Sequence, residues 1–126
     1  MSPGELRTLF REAGFPLQGD VLTVPTYADR SQKLRVNAPV DGVMRMVTTV
    51  VRPSHAHEAG ISHLECWTRN RLSELVGFRM GSRGDVLAET WVPVEGLTPE
   101  LLRVYIEQLA LMSDRLEHQL SGADEN

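Results

Sequence analysis

Apolar residues return at helical spacing in the opening stretch SPGELRTLFREAG, where Leu6, Leu9, Phe10 and Ala13 fall on one face. Ser2 stands at an N-cap position and Pro3 at the first helical position. Glu5 follows Ser2 by three residues, as in a capping box, and Gly14 can close the helix. The period then changes. VLTVPTY is rich in β-formers, with Pro25 pointing to an edge or a strand end. QKLRVNA alternates, with Leu34 and Val36 on one side and Lys33 and Arg35 on the other. VMRMVTTVV is apolar on both sides: Met44, Met46 and Val50 on one, Val43, Val47 and Val51 on the other. Such a strand belongs in the middle of a sheet.

Helical spacing returns in ISHLECWTRNRLSELVG, through Ile61, Leu64, Thr68, Leu72 and Leu75, with Trp67 flanking and Gly77 just past the end. A hairpin follows, FRM running into GSRGD and VLAETWVPV returning. Its second strand places Leu87 and Trp91 on one side and Val86, Ala88 and Val92 on the other. The last and longest pattern, TPELLRVYIEQLALMSDRLEHQL, predicts a helix capped by Thr98 and started by Pro99. Leu102, Tyr105, Leu109, Met112, Leu116 and Leu120 line one face. The order is α-β-β-β-α-β-β-α, an α+β fold with a five-stranded antiparallel sheet.

With 126 residues, 41% hydrophobic and 24% charged, the chain suits one soluble domain over residues 1–120, with a flexible acidic tail over 121–126. A net charge of −4 disfavours direct nucleic-acid binding, and the scattered arginines fit solvated strand and helix faces. A lone cysteine excludes an internal disulfide. No run resembles a secretory signal or reaches the roughly 20 apolar residues of a membrane span, so a cytoplasmic location is expected.

Candidate chemistry concentrates in RPSHAHEAGISH, where His55, His57 and His63 fall within nine positions, with Glu58 among them and Cys66 three residues beyond. Such residues could hold zinc in a metal-binding sensor or small metalloenzyme, the alternative function for this chain. The spacing matches no standard ligand set, so the expectation is a polar crossing from strand to helix and no bound metal. Cys66 with His63 lacks a visible third group for nucleophilic catalysis. Arg83-Gly84-Asp85 sits at a hairpin tip, where turn geometry selects Gly and Asp, and GSRG precedes a strand rather than the helix a phosphate loop needs. No cofactor and no enzymatic activity are expected. What remains is a sheet whose middle strands carry more apolar residues than three helices on one face can cover. That points to a second subunit or a bound polypeptide, with Val47, Trp67, Leu72 and Trp91 as the binding or dimer residues.

The stretch from Trp67 to Leu120 resembles the YbjN group of Tir-chaperone-like domains, within the type III secretion chaperone-like fold. The resemblance is carried by Asn70 in a helix, the short strand Phe78–Met80, the Gly84-Asp85 turn, and the passage from Pro93 to Leu101 before a long final helix. It implies a small acidic bacterial protein of the cytoplasm, without cofactor or catalytic residues. Such a protein is a homodimer and works through contacts with other proteins as an adaptor, chaperone or stress-response regulator. The histidine-rich connection and Pro25 depart from the dedicated secretion chaperones.

Overall fold

The computed structural model describes residues 1–51 and 75–121. Helix α1 (Pro3–Glu12) begins with the expected reciprocal cap: the Glu5 amide donates to Ser2 Oγ and the Ser2 amide to Glu5 Oε1, each at 3.1 Å. Its apolar face buries Phe10 completely and Ala13 almost so, while Leu6 and Leu9 pack against the core from its rim.

Five strands follow: β1 (Val21–Pro25), β2 (Ser31–Val40), β3 (Val43–Val51), β4 (Gly77–Met80) and β5 (Val86–Pro93). They form one sheet in the order β1-β2-β3-β5-β4, with every pairing antiparallel. The strand apolar on both sides, β3, is central, and the proline-bearing β1 lies at an edge. Asp41 and Gly42 join β2 to β3 with φ of 53° and 78°. Two consecutive positive φ values are the mark of a type I′ turn, whose twist matches that of the strands it connects. Between β4 and β5, Gly84 takes φ 84° and its amide donates to the Gly81 carbonyl at 3.0 Å, so the Arg83-Gly84-Asp85 tripeptide is part of a turn.

Helix α2 (Pro99–Ser121) is capped by Thr98, whose Oγ1 accepts from the Leu101 amide at 3.2 Å. It crosses one face of the sheet, over β1, β2, β3 and β5, with α1 against it. Leu22, Leu34, Met44, Met46, Ala88 and Val92 meet Leu102, Ile106, Leu109 and Ala110 in one core. The stripe of α2 differs from the expected one. Ile106, Ala110 and Ser113 are buried, whereas Tyr105 and Met112 sit at the margin. Small residues at 110 and 113 let the helix lie close to the sheet, and that turns its deepest line one position round from the bulky residues. The side chain of Leu120 lies outside the described residues.

A polar tie closes one corner. Arg30, between β1 and β2, donates to Asp114 of α2 through Nε and Nη2, at 3.1 and 2.8 Å. Asp114 is buried, and the hydrogen bonds from Arg30 hold its carboxyl below the usual aspartate range.

Candidate protein-binding face

Alternation along the strands sends every second side chain away from the helices. On β3 these are Val43, Arg45, Val47 and Thr49; on β5 they are Leu87, Glu89, Trp91 and Pro93. The register stacks them directly: Arg45 opposite Trp91, Val47 opposite Glu89, Thr49 opposite Leu87. On the flanks, Arg35 of β2 is opposite Val47, and Arg79 of β4 is opposite Leu87. None of the described helices covers this outer face.

Two of the expected binding residues, Val47 and Trp91, therefore share one face on adjacent strands. Val47 is half-buried between its neighbours, whereas Trp91 is 57% exposed. The other two, Trp67 and Leu72, lie outside the described residues, as do the predicted second helix, the cluster of His55, His57 and His63, Cys66, and residues 122–126 of the tail. The outer face is less apolar than the strand pattern suggests. Val21, Val43, Val47 and Leu87 are each half-buried, and Trp91 is a large aromatic residue left bare on β5. Aliphatic stems of arginine and lysine cover such surface while their charged ends reach water.

Electrostatics give the face its structure. Glu89 Oε2 accepts from Arg45 Nε at 2.6 Å and from Arg79 Nε at 3.3 Å, so one carboxylate oxygen serves two guanidinium groups. The Arg45 guanidinium also lies over the Trp91 ring, 5.6 Å from its centroid. Arg35 reaches Asp20 only at 3.8 Å, with both side chains about two-thirds exposed. Lys33 has no ion-pair partner among the described residues. A shallow cavity of about 410 Å³ runs between these groups, its lining including Lys33, Arg35, Arg45, Arg79 and Asp85 around Val47 and Leu87.

The arginines were legible singly, as the polar half of alternating strands. Their convergence was not, because it depends on which strands are neighbours and in what register. Among the described residues, no three His, Cys, Asp or Glu side chains gather as a metal ion would require. No described helix is long and apolar enough to cross a membrane.

No family model matches the chain, and no curated protein matches it. Solved structures do. The chain resembles the crystal structure of "YbjN, a putative transcription regulator from E. coli", with 15% identity, a TM-score of 0.56, and coverage of 99% of this chain and 93% of that one. An uncharacterized protein from Methanothermobacter thermautotrophicus is similar at 16% identity, with a TM-score of 0.51 and coverage of 99% and 97%. Both likenesses run nearly the full length of each partner. The antiparallel α+β architecture of this chain is thus the YbjN-like fold.

Proposed function

We propose that this chain is a non-enzymatic adaptor or regulatory protein of the cytoplasm that binds another polypeptide across the outer face of its sheet and pairs with itself. One observation carries the reading: Trp91 stands 57% exposed on a sheet face that no described helix covers, opposite Arg45 and diagonal to Val43 and Val47. Large aromatic side chains supply much of the energy at interfaces, and an exposed tryptophan with valines at its diagonals is an anchor for one. Trp67 and Leu72 are assigned to the same binding role. The regulatory description that YbjN carries agrees with work done through contacts rather than through catalysis.

Site-directed photocrosslinking tests this reading. A photoreactive residue at position 91 should capture a specific polypeptide in the native host, while the same group at the exposed position 108 on α2 should not. Equal capture at both positions would reject the outer face as the binding site. Sedimentation at tens of micromolar tests self-pairing, and a monomer throughout would remove it.

A further inference from the structure

We infer that the polypeptide taken up by the outer face is acidic: an extended segment whose carboxylates meet Lys33, Arg35, Arg45 and Arg79 and whose apolar side chains enter the cavity over Val47 and Leu87. This inference rests on the adaptor reading and adds the chemistry of the partner. The strands present four cations on this face against the carboxylate of Glu89, with Asp85 also lining the cavity and Asp20 3.8 Å from Arg35, so cations still outnumber carboxylates in a chain whose net charge is −4. The face is thus opposite in sign to the molecule around it.

Glu89 is already shared by Arg45 and Arg79, and a carboxylate holding two guanidinium groups leaves unmatched positive charge beside it. Lys33 and Arg35 project from β2 on the other side of Val47, Lys33 without an ion-pair partner among the described residues and Arg35 with only a long one. Cations therefore flank an apolar centre on two sides. An extended chain alternates its side chains, so one face of it can offer carboxylates to the flanks and aliphatic groups to the middle.

The same arrangement argues against two other occupants. A second copy docking by this face would bring its own cations onto these, and like charges across an interface are repulsive. A nucleic acid would meet the right charges locally, but it is a dense polyanion approaching a molecule of net negative charge. The aliphatic floor of the cavity also offers little to phosphates.

The test is fluorescence anisotropy on the full chain. The probe is a labelled peptide of about ten residues alternating Glu or Asp with Leu or Val, long enough to cross the sheet. The same peptide with Gln and Asn in place of the acids is the comparison. The expected result is saturable binding of the acidic peptide and affinity about tenfold lower for the amide version. A similar loss is expected for the double variant Lys33→Glu, Arg35→Glu. Both substituted side chains are exposed, so an unchanged thermal melt will show that the variant is folded.

Equal affinity for the acidic and amide peptides, or no effect of the double variant, would overturn the acidic assignment and leave the adaptor reading standing. Displacement of the peptide by a single-stranded oligonucleotide at equal concentration would overturn it in favour of a general polyanion site. Absence of any peptide binding overturns it too. The crosslink at position 91 then decides whether the adaptor reading survives.

Discussion

Arg45 and Trp91 face each other across the β3–β5 ladder, the guanidinium 5.6 Å from the indole centroid and tethered on its other side to Glu89. A surface tryptophan held in this way has already lost much of its rotational freedom, so a partner need not immobilise it on binding. Trp91→Ala should weaken partner binding by about 30-fold, as for a central aromatic anchor. It should hardly change the melting temperature, because the ring contributes nothing to the core. Arg45→Met, which keeps the stem and removes the charge, should give a smaller loss. Titration of the captured partner against both variants checks the order.

The tie between Arg30 and Asp114 makes stability depend on pH in a known direction. Asp114 has a carboxyl pKa lowered chiefly by the hydrogen bonds from Arg30, so the folded state holds fewer protons there than the unfolded chain. That stabilisation is present above the ordinary aspartate value of about 3.9 and is lost as pH falls through it toward the lowered folded value. Chemical unfolding measured from pH 6 down to about pH 3 should therefore fall more steeply for the native chain than for Asp114→Asn. Equal slopes would mean that the pair contributes nothing.

Neighbouring leucines on α2 should behave in opposite ways. Leu102 is fully buried and Leu101 is 45% exposed. Leu102→Ala should cost about 2–5 kcal/mol through lost burial and the cavity left behind. Leu101→Ala should stay within about 0.5 kcal/mol of the native chain. Parallel denaturant titrations compare the two directly.

Gly42 tests the turn between β2 and β3. Its φ of 78° disfavours any residue with a Cβ, yet no atom lies within 4 Å of where that Cβ would stand. Gly42→Ala should thus show the backbone cost alone, about 1 kcal/mol, and Gly42→Asn less, since asparagine tolerates this conformation better. A loss several times larger would mean that the turn does more than connect two strands.

If the chain pairs with itself, the cationic face is the wrong surface for it. The double variant Lys33→Glu, Arg35→Glu should leave the sedimentation coefficient unchanged. A shift toward monomer would place the self-contact on the outer face after all.

Much of the architecture was legible because local signals agreed with one another. The central place of β3 followed from valines and methionines on both its sides, and the edge place of β1 from Pro25. Both helix starts followed from the cap residues Ser2 and Thr98. The Asp41-Gly42 dipeptide, a strong hairpin signal, lies between the two strand patterns and accounts for their direct pairing. The burial line of α2 was less legible, because Ala110 and Ser113 are too small to stand out in a hydrophobic pattern although they decide how the helix seats. Of the outer face, Trp91 and Val47 could be picked out as apolar residues on the far side of their strands. Its charge could not be read, since Lys33, Arg35, Arg45 and Arg79 stand on three strands whose adjacency is a property of the folded sheet.

The margins of the sheet decide how such a face can be used. In β1 the Thr26 amide turns inward to the Arg30 carbonyl, so alternation points the odd-numbered amides outward, and at Pro25 that outward donor is missing. The opposite margin, β4, is only four residues long. A visiting strand finds few rungs to climb at either border, so these molecules resist zipping side by side into fibres. Under the adaptor reading, a guest would land flat on the palm of the sheet rather than join either border.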